Sequence, residues 1–121
     1  MLDYWNKEYS DICENVIFKV KQINPVELLD LVMVNLELKS SKSDKRQEFI
    51  KSCLSNIIWT KDGMNWYELI DHEGRNRLPE SETNPTIIFD LYTQFQTDVL
   101  VPVFTESKTF QNLTSANTNK K

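Results

Sequence analysis

With 121 residues, 18 acidic side chains against 14 basic ones and a formal net charge of −4, the chain has room for one domain and one core. Such a domain buries roughly two-thirds of the surface that its unfolded form exposes. Scattered Lys and Arg argue against a broad basic face for nucleic acid, and only two glycines argue against phosphate loops, dinucleotide fingerprints and many-turned all-β folds.

Residues 1–15 carry Leu2, Tyr4, Trp5, Tyr9 and Ile12, a pattern that suits a short amphipathic helix or a lid strapped across the core. Val16-Ile-Phe-Lys-Val-Lys-Gln22 is rich in β-branched and aromatic residues, with Phe18 and Val20 alternating against Lys19 and Lys21, and reads as a strand. Next, Asn24 is placed to cap a helix with Pro25 in its first turn and Glu27 facing the exposed amides. That helix is apolar almost all round from Val26 to Leu38, broken only by Glu27, Asp30, Asn35 and Glu37. It is therefore expected to be buried on most sides or half covered by a partner. Its end has a rival reading, because Val34, Leu36 and Leu38 alternate with Asn35, Glu37 and Lys39 as a strand would.

Ser40 to Asp44 forms a polar linker, and Asp44 is expected to cap a second helix with Phe49, Ile50, Cys53, Leu54, Ile57 and Ile58 on one face. Trp59-Thr-Lys and Met64-Asn-Trp66-Tyr-Glu-Leu69-Ile then flank Asp62-Gly63, the pattern of a β-hairpin. A further turn is read at Glu73-Gly74, and a polar stretch from Arg75 leads to Asn84-Pro85, which repeats the earlier helix start. On that last helix Ile88, Leu91, Tyr92, Phe95 and Val99 share a face. It should stop in the apolar knot Leu100 to Phe104, where Pro102 lacks an amide. The fold class expected is α+β: residues 1–15 as an N-terminal amphipathic segment, residues 16–104 as one mainly helical domain with a small antiparallel sheet, and residues 105–121 as a flexible polar tail.

The residues offer little chemistry. His72, the only histidine, sits between Asp71 and Glu73, but catalytic and structural metal sites need several convergent ligands, and a solvated loop histidine is the simpler account. No frame such as Gly-x-Ser-x-Gly places a serine nucleophile. Trp59 to Trp66 resembles a single copy of the aspartate box of propeller blades, without the spacer between Asp and Gly, and is read as a plain hairpin. Trp5, Trp59, Trp66 and Tyr67 are read as core aromatics before they are read as a ligand platform. Cys13 and Cys53 fit a reducing cytosol. Asn112-Leu113-Thr114 matches a glycosylation sequon by chance, and Lys120-Lys121 is too short for a nucleic-acid patch. Neither catalytic, cofactor nor metal residues are assigned.

The leading strand Val16 to Val20, Ile23-Asn24-Pro25-Val26-Glu27-Leu28-Leu29, a middle amphipathic helix, a Trp-bearing hairpin, Leu78-Pro79-Glu80 and the closing Leu100-Val101-Pro102-Val103-Phe104-Thr105-Glu106-Ser107 follow one another in an order that resembles the tail assembly chaperones of long-tailed bacteriophages and prophages. The resemblance covers residues 16–107. It implies a non-enzymatic protein of the host bacterial cytoplasm, absent from the mature virion, which coats the tape-measure protein and helps recruit tail-tube subunits; neither nucleic acid nor membrane is expected as a partner, and a homo-oligomer is left open. Members of this family are often made in two forms, the longer arising by a ribosomal frameshift near the end of the short reading frame. Under this reading the contact surfaces are expected at Leu28, Leu31, Met33, Phe95, Val99 and Phe104, with the tail from Thr105 as an adaptor to a second partner. The alternatives are a small structural virion protein at the head-tail joint or tail end, and a regulatory or ligand-binding domain built on the tryptophan hairpin.

Overall fold

The computed structural model describes residues 3–38, 43–71 and 84–108. Among them, a four-stranded antiparallel sheet in the order β1-β2-β3-β4 is formed by β1 (Glu8–Cys13), β2 (Val16–Val20), β3 (Ile57–Thr60) and β4 (Tyr67–Glu68). Helices α1 (Pro25–Glu37) and α2 (Ser43–Leu54) lie between β2 and β3, and α3 (Pro85–Phe95) leads through a π turn (Gln96–Leu100) into α4 (Val101–Thr105). The sequence expectation of an α+β domain, mainly helical with a small antiparallel sheet, is the fold observed.

Tyr9, Phe18 and Trp59 are in register across three strands, so period two puts all three on one face, where all are buried. Val16, Val20 and Ile57 are buried with them. Helical residues close over this face: Phe49, Cys53, Leu91, Phe95, Val99 and Leu100 are each 3% exposed or less. The opposite face carries Lys19, which pairs with Ile58, and Ile58 in turn pairs with Glu68. There the Lys19 ammonium lies 4.4 Å from the centre of the Trp66 ring, and Lys21 reaches Glu68 at 3.6 Å.

Both Asn-Pro helix starts form as their chemistry requires. The Asn24 side chain accepts from the Val26 amide at 2.8 Å, and that of Asn84 from the Thr86 amide at 2.9 Å, each satisfying a donor that the helix cannot. The last turn of α1 is helical, which settles the strand alternative against it.

Four expectations are corrected. Within residues 1–15, Glu8–Cys13 is an edge strand, which rules out the helix of the two alternatives and leaves the strap. Its alternation is hidden because β1 advances from Tyr9 to Cys13 while β2 moves only from Phe18 to Val16, a bulge that breaks period two. Asn15, with φ of 64°, turns the chain into β2; Asn tolerates this left-handed conformation through local hydrogen bonding. Second, α2 begins at Ser43 and ends at Leu54, so Asp44 lies inside it and Ile57 and Ile58 belong to β3. The side chains of Ser55 and Asn56 bond the Ser52 carbonyl at 2.7 and 3.0 Å, ending the helix before them.

Third, the hairpin does not turn tightly on Asp62-Gly63. Residues 61–66 form a longer loop in which the Asp62 carboxylate accepts from the amides of Met64 and Asn65, both at 2.8 Å, and from Thr60 Oγ1 at 3.0 Å. Fourth, Pro102 does not stop the last helix. The Val101 amide donates to the Gln96 carbonyl five residues back, and this widened turn carries the chain past a residue that has no amide to offer; Pro102 then sits in the first turn of α4, where prolines are tolerated. His72, Glu73-Gly74, Leu78-Pro79-Glu80 and residues 109–121 lie outside the described residues.

Candidate protein-binding surface

The six expected contact residues separate by burial. Leu28, Leu31, Phe95 and Val99 are 5%, 8%, 1% and 0% exposed; they are core residues and form no contact surface of the folded chain. Met33 is half exposed, and Phe104 is partly buried against the core. Because α1 is apolar nearly all round, hydrophobic spacing alone leaves its rotation undetermined.

Met33 apart, the sequence reading missed the outward face of α1. Val26, Leu29, Met33 and Leu36 are all exposed large apolar residues, and their positions follow the three-four-three spacing of a helical seam. Leu28, Leu31 and Val32 occupy the inward side. The 26/29/33/36 spacing was visible in the sequence, but the inward set is apolar too and gave nothing to set against it.

Leu36 leads sideways into an open groove of about 240 Å³ between α1 and α4, lined by Val32, Asn35, Leu36, Leu100, Val101 and Phe104. Val101 is itself exposed. Behind the groove, Gln96 Nε2 donates to Asn35 Oδ1 at 3.0 Å and to the Tyr92 hydroxyl at 2.8 Å, so the π turn is tied to α1. A second tie holds the π turn to β1. The Tyr9 hydroxyl donates to Asp98 Oδ2 at 2.6 Å, and Lys7 Nζ lies 3.0 Å from the same oxygen. Burial first and the Asp98 carboxylate second raise the Tyr9 pKa well above its ordinary value.

Loop amides, those of Asn65 and Met64 foremost, hold the Asp62 carboxyl well below the usual carboxylate range; they make it a loop anchor with its lone pairs occupied. Cys13 and Cys53 are not joined in a disulfide, and burial pushes Cys53 up to about 12, far from the reactive thiolate range. No group of three or more His, Cys, Asp or Glu that could hold a metal ion occurs among the described residues, and no described helix is long and apolar enough to cross a membrane.

The four aromatics do not make one platform. Trp59 is buried, with its ring 5.0 Å from that of Tyr67. Trp66 lies under Lys19 on the opposite face of the sheet, and Trp5 packs edge-on to Tyr4. Among the described residues, then, the outward seam of α1 with its bordering groove is the most extended apolar feature left open. Compared with known proteins, the chain matches no family model, no curated protein and no solved structure; the resemblance to tail assembly chaperones rests on its own residues.

Proposed function

We propose that this chain is a non-enzymatic tail assembly chaperone of a long-tailed phage or prophage, which covers an apolar helical stretch of the tape-measure protein and helps recruit tail-tube subunits. The observation that carries this reading is the seam of Val26, Leu29, Met33 and Leu36, open to solvent along α1. An apolar helix face left outward on a small domain is the half of an interface that takes an amphipathic partner helix. A tape-measure chain, long and helical, offers repeated faces of that kind and needs them covered until the tube encloses it. The protein acts in the host cytoplasm and leaves before the virion is complete.

The test is co-expression with the long helical protein encoded downstream, followed by affinity capture and mass analysis of purified particles. Capture of the long protein by the wild-type chain, its loss on Met33→Lys, and absence of the chain from particles support the proposal. Recovery of the chain as a stoichiometric component of finished particles refutes it in favour of a joining or tail-completion protein.

A further inference from the structure

The borders of the α1 seam differ in chemistry. On one side lies α4, with Val101 and Phe104 facing the groove. On the other, Asp30 follows Val26 by four residues and Glu37 follows Met33 by four, the positions that flank a seam on a helix surface; both are exposed, as is Glu27 one turn before Asp30. Glu37 already has an interaction within the chain, whereas the Asp30 and Glu27 carboxylates lie open beside the first half of the seam. From Pro25 to Leu38 the helix carries no Lys or Arg; across the groove that Asp30 and Glu37 line, α2 contributes Lys45 and Glu48, one charge of each sign that leaves the acidic excess of α1 in place.

We infer that the seam takes one amphipathic helix from another protein, about three turns long, whose apolar stripe is bordered by Lys or Arg, and that a second copy of this chain does not occupy it. Rise per residue sets the length: Val26 to Leu36 spans about 15 Å of helix. Charge sets the border. A partner with basic residues beside its stripe meets the acidic row with opposite sign, while a partner with acidic residues there is repelled. Two copies packed antiparallel through the seam would bring each acidic row against its own equivalent, so the row that attracts a basic helix also works against self-pairing. This rests on the proposed chaperone role only for which protein supplies the helix; the border chemistry belongs to α1 itself.

Three labelled helical peptides test it. They share one apolar stripe of three heptads and carry Lys, Gln or Glu at every flanking position. Binding to the full chain is read by fluorescence anisotropy at low and high salt, with sedimentation of the unliganded chain alongside. The Lys-flanked peptide is expected to bind at least about tenfold tighter than the Glu-flanked one, an advantage that shrinks in high salt. Asp30→Lys is expected to erase or reverse the preference, and Met33→Lys to weaken all three peptides by about tenfold or more. Both substituted positions are exposed, and far-UV circular dichroism checks that the fold is kept; Leu29→Lys is the second seam variant should either disturb it.

Equal binding of the Lys- and Glu-flanked peptides overturns the inference. So does binding unmoved by both Met33→Lys and Leu29→Lys, or a wild-type dimer that these variants turn into a monomer. Because the peptides are not tape-measure sequences, the two proposals fail separately. Lys-selective binding without capture of the long protein upholds the seam and refutes the phage role. Capture of the long protein with no peptide selectivity refutes the basic border alone.

Discussion

Replacing Leu31 and Leu29 by alanine, one at a time, tests the rotation of α1 on which the outward seam depends. The two leucines share a helix and an intrinsic propensity, but Leu31 keeps 8% of its exposure and Leu29 keeps 55%. Removing a buried leucine side chain costs about 2–5 kcal/mol, the spread depending on how far the site collapses. Leu31 lies beside an open groove shared with Val34 and Phe49, which water can enter, so the lower end applies, about 2–3 kcal/mol. In a domain of this size that lowers the melting temperature by roughly 6–15 °C. Leu29→Ala, at an exposed position, is expected to stay within about 0.5 kcal/mol of wild type. Urea unfolding followed by tryptophan fluorescence measures both, and an unchanged slope with denaturant shows that stability alone has moved. Equal losses for the two variants, or a larger loss for Leu29→Ala, would mean that α1 is turned the other way, and the seam would then be core. The same logic predicts that Leu31→Asp and Phe95→Asp unfold the protein and report nothing about a partner.

Asp98→Ala is expected to cost about 1–3 kcal/mol, because it leaves the Tyr9 hydroxyl without the acceptor it meets at 2.6 Å; the Lys7 pair adds little, since its ammonium side chain is 55% exposed. In that variant the Tyr9 pKa should fall, read by ultraviolet titration of tyrosinate, while burial still holds it above the ordinary value. An unchanged Tyr9 titration would contradict the tie. Cys53 predicts an alkaline weakness. Its folded value is raised from 9.0 to about 12, so the folded state keeps the proton longer than the unfolded one. The resulting stability is complete below pH 9.0 and is lost as pH rises toward about 12. Cys53→Ala should lose up to about 1.4 kcal/mol less per pH unit over that range than wild type. Tyr9 and Tyr92, also raised, leave a residual slope in both proteins, and identical slopes would count against the assignment.

The legible parts of the fold are those where one local signal has no competitor. β2 alternates cleanly because one of its faces is core, and both Asn-Pro starts combine a cap with a residue fixed for a first turn. β1 was hidden by its bulge, which removes the alternation that marks a strand, although Asn15 before Val16 was a turn signal in plain sight. The end of α2 was misread because Ile57 and Ile58 continue the helical spacing of Phe49 and Cys53; the side-chain bonds of Ser55 and Asn56 to Ser52 decide against it. Pro102 was read by its local effect, and a π turn five residues long overrides that effect without breaking the helix. For the candidate surface, spacing pointed to the helix that carries the exposed seam but, Met33 apart, to its buried side. Leu28 and Leu31 look like Leu29 and Met33 in sequence, and only the packing of α2, α4 and the π turn against α1 distinguishes them.

The bordering groove follows from the same π turn. After Phe95, a regular helix would meet Pro102 with the Asp98 carbonyl aimed at a ring that cannot donate to it. Widening the helix at Gln96–Leu100 avoids that conflict. It keeps Val99 and Leu100 fully buried and leaves Val101 half exposed beside Leu36. The position of that turn is held from both sides, by Gln96 on Asn35 of α1 and by Asp98 on Tyr9 of β1. Hydrogen bonds of this kind, made across elements distant in sequence, resist sliding more than apolar packing does, because a shift leaves part-buried polar groups unpaired. The N-terminal strand therefore contributes to the candidate surface without touching it: β1 fixes the π turn, the π turn fixes α4, and α4 forms the apolar wall against which a helix lying along α1 would pack.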